Sequence, residues 1–288
     1  MLQPLRSTYF VRQPQFQLKL GSVLIFILAA LVAWELNIAV QQIFPSQNLV
    51  PFFARTVLTL LIDLALIYIS FRLLKQNGLP KEALGLPVSN KIISYIFWGL
   101  FIGALTIIIV AGVLFICIPY HFVQGPADAS QVLKDGIYYL IGNSLEELMF
   151  RGFLFIIISQ LAGWRIAILV MALPFGLFHL QGTGLNSDGL KMVATTACYS
   201  FVFSLSYVLF RSMWAAISVH LSSNIFLHTL TGLDGAKRAL FMPVFERSGP
   251  KSYDVGFIVA ILSALIVAGF LYVLIMIINK KHNSIAHS

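Results

Sequence analysis

Long apolar runs constrain this chain more than any other feature of its sequence. Residues 22–33 and 258–278 are almost continuously apolar, and a helix needs roughly 20 such residues to cross a bilayer. A lipid-embedded backbone must satisfy its own hydrogen bonds, which only helices and closed barrels achieve. Barrels are built from short alternating segments, so these continuous runs indicate helices. The sequence therefore predicts an all-α fold, a polytopic transmembrane helical bundle.

The composition is that of an integral membrane protein. Of the 288 residues, 59% are hydrophobic and 10% are charged, against roughly 25% charged residues in soluble domains. The net charge of +8 does not indicate nucleic-acid binding, because the basic residues lie in short connections between apolar runs. Hydropathy predicts about eight spans. They cover residues 20–40, 51–74, 92–119, 136–161, 165–180, 190–210, 213–230 and 255–278.

The basic residues also predict how the chain is oriented. The side that carries the N-terminus receives eleven of the 19 Lys and Arg residues, and the opposite side receives seven. Because cytoplasmic loops carry the excess of Lys and Arg, we expect both termini to lie inside. Cys117 and Cys198 lie within apolar runs, without the spacing of a disulfide framework or a cysteine metal site. We expect a multi-pass protein of the cell membrane.

Three charged residues lie near the middle of the fourth predicted span. Glu147 and Arg151 are four residues apart, which places them on one helix face in the favourable order for an ion pair. Glu146 is rotated about 100° from Glu147, so the same arginine does not neutralise it. A purely structural polar network is the alternative reading. The uncompensated carboxylate favours a functional role, since ionisable residues inside membranes commonly mark function.

The fifth and seventh predicted spans add imidazole and amide groups. His179, taken alone, is typical of a satisfied core histidine, whereas His220 and Asn224 share one face by their four-residue spacing. His228 approaches the end of its helix, where an interfacial role is expected. Peptide-bond hydrolysis needs a base for water, a group that positions the water, and donors for the oxyanion. Together the three spans supply such groups.

The fourth, fifth and seventh spans carry the motifs Glu146-Glu147-x-x-x-Arg151, Phe175-x-x-x-His179 and His220-x-x-x-Asn224. In this order, the motifs resemble those of the CPBP family of CAAX proteases and bacteriocin-processing or self-immunity proteins. The resemblance covers roughly residues 134–230. It implies an intramembrane endopeptidase with an eight-helix core that acts on a membrane-associated protein or peptide. We accordingly divide the chain into N-terminal helices (1–133), catalytic-motif helices (134–230), and a loop with a C-terminal helix (231–288).

We predict that Glu146 is the general base and that Glu147, Arg151 and Phe175 give structural support. Two mechanisms remain open. His179, His220 and Glu146 are a plausible ligand set for Zn²⁺ with one position open to water, so Zn²⁺ is a candidate cofactor. The same residues also work without metal if Glu146 and His179 activate water while His220 and Asn224 hold the oxyanion.

Two other classes of function compete with the protease. A non-catalytic membrane scaffold or immunity protein needs no chemistry, and an ion-coupled transporter would use Glu35, Arg55 and Asp63 as further members of its pathway. The expected partners are a membrane-associated substrate and the lipid bilayer. With the N-terminus inside, the site opens to the non-cytoplasmic side beneath loops 120–135 and 181–189. A cytosolic substrate would require the reverse orientation.

Overall fold

The computed structural model describes residues 10–44, 49–86, 89–246 and 250–285. Within these ranges the chain is mostly helical, so the all-α prediction is confirmed. A turn of 3₁₀-helix lies at Lys81–Leu84, and a π-helical turn at Ile225–Leu230 extends α9. The helices are α1 (Leu20–Ile43), α2 (Leu49–Gln76), α3 (Ile92–Cys117), α4 (Ala129–Arg151), α5 (Phe153–Ala162), α6 (Trp164–Phe178), α7 (Leu180–Thr183), α8 (Ser187–Phe210), α9 (Met213–Asn224) and α10 (Pro250–Ile285).

Each predicted span corresponds to a helical segment, and the predicted number of about eight spans agrees with the architecture. The helices that are both long and apolar enough to cross a bilayer number five in the described ranges, and α6 is a shorter apolar helix of 15 residues. The multi-pass membrane bundle is thus present, although several membrane-embedded helices are short. The five long segments are Leu20–Ile43, Val50–Gln76, Ile92–Cys117, Ser187–Phe210 and Asp254–Lys281.

The fourth predicted span is not one continuous helix. It begins earlier than expected, at Ala129, where the Asp128 side chain accepts a hydrogen bond of 2.8 Å from the Gln131 backbone N–H. It then breaks at Gly152, whose ψ of −130° lies outside the helical region. A Cβ at this glycine would meet the Leu148 carbonyl oxygen at 2.1 Å. The close backbone contact therefore requires glycine, and it divides the span into α4 and α5.

The connections that were expected to be irregular loops contain regular structure. Strand β1 (Tyr120–Gln124) pairs antiparallel with β2 (Phe241–Phe245), with Tyr120 opposite Phe245. The predicted loop 181–189 is largely helical. Its first residues belong to α7, which extends to Thr183, and its last residues belong to α8, which begins at Ser187. Both loop predictions were wrong. The two strands form a ribbon, which pairs residues that are far apart in sequence. Hydropathy carries no signal for such pairing.

The two ends of the bundle differ. We call the end where α1 starts the proximal end and the end that carries the ribbon the distal end. Residues 10–19 cover the proximal end, where the Phe10 ring lies 4.9 Å from that of Tyr207. The Gln13 backbone N–H donates to Gln160 Oε1 at 2.7 Å, and that of Lys19 donates to Asn77 Oδ1 at 2.7 Å. This segment closes the proximal end over the core.

Glycines bring the helices that carry the site into close contact. A Cβ at Gly99 of α3 would lie 2.6 Å from the Ala215 carbonyl oxygen of α9, and one at Gly103 would lie 2.3 Å from that of Val219. Small residues at this four-residue spacing allow helix backbones in membranes to approach closely. The register of α9 against α3 is therefore fixed, and this register places the polar face of α9 toward α4.

Candidate active site

Helices α4, α6 and α9 bring three predicted catalytic residues together. Glu146 Oε2 lies 4.0 Å from His179 Nε2 and 4.0 Å from His220 Nε2. The side chains of Glu146 and His179 are 17% and 26% exposed, whereas that of His220 is 5% exposed. Within the part of the chain described, the buried Glu146 Oε2 has no hydrogen-bond partner. Three polar atoms thus face one small space that is partly open.

Glu147 connects two of the motifs. Its Oε1 accepts a hydrogen bond from Arg151 Nη1 at 3.2 Å, so the predicted ion pair is present, and both side chains are fully buried. The same oxygen lies 2.9 Å from His220 Nδ1. Because a carboxylate only accepts hydrogen bonds, the imidazole must carry a proton on Nδ1. Glu147 therefore fixes the tautomer of His220 and directs its Nε2 toward Glu146.

Arg151 is held on several sides, and most of these contacts come from α8. Its Nη2 donates to the side-chain oxygen of Ser200, and its Nε donates to Ser204 Oγ at 3.3 Å. The guanidinium lies 4.2 Å from the centroid of the Phe175 ring. Sequence reasoning missed both serines, which lie four residues apart on one face of α8. Their spacing is visible in the sequence, but their partner is not.

Aromatic rings and a backbone carbonyl orient the two histidines. His179 Nδ1 lies 2.8 Å from the Phe175 carbonyl oxygen and donates to it, which turns Nε2 toward Glu146. The His220 ring stacks on Phe203, with centroids 4.4 Å apart and planes 19° apart. Phe203 was not predicted, because nothing in its local sequence distinguishes it from other apolar residues of α8. Both imidazoles are thus fixed with Nε2 facing the same carboxylate.

Asn224 joins the site through a residue that sequence reasoning did not single out. Its Nδ2 donates to Asn143 Oδ1 at 3.1 Å, and Asn143 is buried one helical turn before Glu147. The contacts of the described residues do not place Asn224 directly against Glu146. The available signal was the position of Asn143 within the same polar stretch of α4. One Nδ2 proton of Asn224 remains for another acceptor.

The other polar residues of the spans lie apart from this cluster. Glu35 is exposed on α1, and Asp63 is 3% exposed within α2. His228 bonds to Asp234 at 2.6 Å, in keeping with a role near the helix end. No contact among the described residues links Glu35 or Asp63 to Glu146. The pathway expected for a transporter is therefore not formed by these contacts.

The geometry of the three converging atoms also tests whether they fit a metal ion. Donors around a tetrahedral Zn²⁺, bound at about 2.0–2.1 Å, lie about 3.3 Å from each other. The observed distances from the Glu146 carboxylate to the two imidazoles are 4.0 Å, and the described residues contain no group of three or more ligands arranged to hold a metal. A Zn²⁺ ion would need these donors to close by roughly 0.7 Å. The present arrangement does not fit the ion.

Comparison with known proteins adds to this geometry. A family model described as type II CAAX prenyl endopeptidase Rce1-like matches residues 129–226. Residues 129–226 are thus similar to this family, and we call them the Rce1-like segment. The Rce1-like segment starts with α4, ends just after α9, and contains all three motifs, so the resemblance noted in the sequence is confirmed. Neither the comparison with curated proteins nor that with solved structures gave a match.

The family match and the apolar helices together describe a multi-pass membrane protein of protease type. The Rce1-like segment covers about a third of the 288 residues. It carries every residue of the polar cluster contributed by α4, α6, α8 and α9. Helices α1, α2, α3 and α10 lie outside it and complete the bundle around it. An intramembrane protease is thus supported at the level of the family.

Proposed function

We propose that this protein is an endopeptidase in which Glu146 activates water to hydrolyse a peptide bond of a membrane-associated protein or peptide. The observation that carries this proposal is the shared 4.0 Å distance from Glu146 Oε2 to the Nε2 atoms of His179 and His220. If a water oxygen lies about 2.8 Å from each of two atoms that are 4.0 Å apart, the angle at the water oxygen is about 90°. The space between these atoms therefore suits one water molecule.

The proposed hydrolysis needs no reactant besides water. Glu146 accepts a proton as the water oxygen attacks the carbonyl carbon, and the carbonyl oxygen becomes an oxyanion. His179 Nε2 accepts the second hydrogen bond of the water and so positions it. Glu146 then returns the proton to the amide nitrogen, the C–N bond breaks, and the products are a carboxyl group and an amine.

His220 and Asn224 are the proposed donors to the oxyanion. His220 Nδ1–H is already bound to Glu147, so its Nε2 donates to the oxyanion only when this second nitrogen also carries a proton. Asn224 has one free Nδ2 proton after its bond to Asn143. Hydrogen bonds to a developing oxyanion are strong in a site that excludes water. Two donors from α9 would thus stabilise the tetrahedral intermediate.

We place the opening of the site at the distal end. Helices α6 and α9 both start proximally and end at the site, so His179 and Asn224 lie about 22 and 17 Å from the first residues of these helices. The proximal end is closed by residues 10–19, as described above. If the N-terminus is inside, as the basic residues indicate, the distal end is the non-cytoplasmic side. The substrate would then enter from that side.

The proposal is tested by comparing the termini of membrane peptides in cells. Cells would carry no protein, the wild type, Glu146→Gln, or Glu35→Gln, and new termini would be quantified by mass spectrometry at equal expression. Glu35→Gln is the matched control, because it removes a carboxylate that is exposed on α1. We expect new termini only with the wild type and Glu35→Gln. Identical termini for wild type and Glu146→Gln would instead favour a non-catalytic scaffold.

A further inference from the structure

Asn143 is a polar residue of α4 that the three motifs do not include. It lies three residues before Glu146 and four before Glu147. On the helix it is therefore rotated about 60° from the first glutamate and about 40° from the second, and it lies on the face between them. Asn143 is 3% exposed. Because a polar side chain is costly inside a membrane bundle, its presence needs a physical reason.

Asn143 fixes the direction of the Asn224 side chain. Asn224 Nδ2 donates to Asn143 Oδ1 at 3.1 Å, and the hydrogen bonds of the described residues give the Asn224 side chain no second partner. Asn224 is the last residue of α9, and the π-helical turn begins directly after it. The terminal torsion of an asparagine is broad, so the backbone alone does not fix the plane of its amide. The bond to Asn143 decides that plane.

The other end of the Asn143 amide argues against a purely structural role. Its Nδ2 is buried and has no hydrogen-bond partner among the described residues. An unpaired buried donor destabilises a fold, whereas an apolar side chain between α4 and α9 would leave no such donor. A residue that breaks a local rule in this way is typical of a functional site.

The direction of the Asn224 amide matters for the proposed reaction. When one Nδ2 proton is bound to Asn143, the second points about 120° away from it, because both protons lie in the amide plane. A hydrogen bond weakens steeply when the angle at its hydrogen falls below about 120°, so a donor to the oxyanion must be aligned. A freely rotating amide would rarely be aligned. The bond to Asn143 thus prepares the donor before the reaction begins.

We infer that Asn143 is a positioning residue for the proposed hydrolysis: it holds the Asn224 amide so that the second Nδ2 proton is directed at the oxyanion. The inference rests on the proposed protease function. Asn143 acts through Asn224 and needs no contact with the substrate. Because the oxyanion exists only after water has attacked, the loss of Asn143 should slow the chemical step without weakening substrate binding.

The test compares two buried asparagines in the full-length protein, held in phosphatidylcholine nanodiscs. Asn143→Leu removes both the acceptor and the unpaired donor but keeps much of the volume. Asn37→Leu is the matched control. Asn37 is also 3% exposed and also accepts a hydrogen bond of 3.1 Å, from Thr59 Oγ1, but this contact joins α1 to α2. The probe is the member of an acyl-anchored peptide library that the wild type hydrolyses fastest, as identified by mass spectrometry.

We expect Asn143→Leu to lower kcat about tenfold to a hundredfold. Deletion of an oxyanion donor lowers kcat about a hundredfold to a thousandfold, and an amide that is present but misdirected should lose less. KM should stay within about threefold of the wild-type value, because the lost interaction is made only in the transition state. Asn37→Leu should change neither constant by more than about threefold, since it does not touch the Asn224 amide.

A double-mutant cycle shows whether Asn143 acts through Asn224. Asn224→Ala alone should lower kcat strongly, and Asn143→Leu should then lower it by no more than about a further twofold, because no amide is left to position. Equal losses of kcat in both backgrounds would overturn the inference. So would a rise in KM with kcat unchanged, or an equal loss of kcat in Asn37→Leu, since a general loss of packing would explain either result.

A readout that needs no hydrolysis separates this inference from the proposed function. NMR spectra of protein labelled at asparagine with nitrogen-15 show the Asn224 side-chain amide, which is assigned by its absence in Asn224→Ala. Asn143→Leu should shift both proton signals of this amide, and Asn37→Leu should leave them in place. Absence of hydrolysis by the wild type would overturn the proposed function, and the spectra would still test whether Asn143 holds the amide. Unshifted signals, or hydrolysis that is insensitive to Asn143→Leu, would overturn only the positioning role.

Discussion

Replacement of Arg151 by alanine should destabilise the bundle strongly. The Arg151 side chain is fully buried and is one of the largest such side chains in the described chain. Arg151→Ala removes the 3.2 Å bond to Glu147, the bonds to Ser200 and Ser204, and the contact of the guanidinium with the Phe175 ring at 4.2 Å. Glu147, which is also fully buried, would lose its cation. The substitution thus leaves an uncompensated charge and a cavity.

The expected loss follows from these contacts. Breaking a buried ion pair by removing one partner costs about 3–5 kcal/mol, because the remaining charge is buried without compensation. Glu147 keeps one partner in Arg151→Ala, since His220 Nδ1 lies 2.9 Å from its Oε1. This remaining hydrogen bond would offset part of the loss. We therefore expect the free energy of unfolding to fall by about 3 kcal/mol, the lower end of this range.

Equilibrium unfolding in mixed micelles measures this loss. Helix content is followed by circular dichroism as the mole fraction of a denaturing detergent rises, and reversibility is checked by returning to the starting mixture. Arg165→Ala is the matched control, because Arg165 is exposed and contacts the Trp164 and Tyr272 rings at 5.4 and 5.6 Å. Exposed cation–π contacts contribute about 0.5–1 kcal/mol, so the control should lose far less.

A double substitution separates charge from volume. Glu147→Gln with Arg151→Met removes both charges, keeps much of the arginine volume, and leaves an amide oxygen that accepts from His220. It should recover at least about 1 kcal/mol relative to Arg151→Ala, since buried ion pairs are often replaced by apolar residues at little cost. A loss below 1 kcal/mol for Arg151→Ala itself would refute the reasoning, because it would mean that the buried Glu147 does not need its cation.

Two further predictions concern the metal and the side on which the site opens. Purified active wild type should contain no stoichiometric Zn²⁺ and should match His179→Ala in metal analysis; one ion per chain that His179→Ala loses would establish a metal site despite the 4.0 Å spacing. A single cysteine at Thr183, in a cysteine-free background, should react with an impermeant reagent added to the non-cytoplasmic side. Labelling only after the cytoplasmic face is opened would mean that the orientation is inverted.

Several features could be predicted from the sequence because they depend only on the geometry of a single helix. The bilayer requires each span to satisfy its backbone internally, so apolar runs alone locate helices such as α1, α3 and α10. The pitch of the helix pairs Glu147 with Arg151 and rotates Glu146 away from both. These features depend on residues within one or two turns of each other. They hold whatever the helix packs against.

The contacts between helices were decided only by the tertiary structure. The bond from His220 to Glu147 joins residues 73 apart, and that from Arg151 to Ser200 joins residues 49 apart. Nothing local distinguishes Ser200 from other serines of the chain, and the position of Asn143 in the polar stretch of α4 does not reveal its partner. Which side chains meet depends on helix register, and at α9 this register follows from the backbone contacts of α3.

The groups present at the site follow from the sequence, whereas their convergence follows from the packing of the helices. The sequence determined that one carboxylate, two imidazoles and an amide lie on helices in a membrane, because these residues are costly there and stand out against the apolar runs. Only the tertiary structure decided that both Nε2 atoms lie 4.0 Å from Glu146 Oε2. The physical reason is that helix geometry repeats along the chain, whereas a site forms where particular faces of different helices pack together.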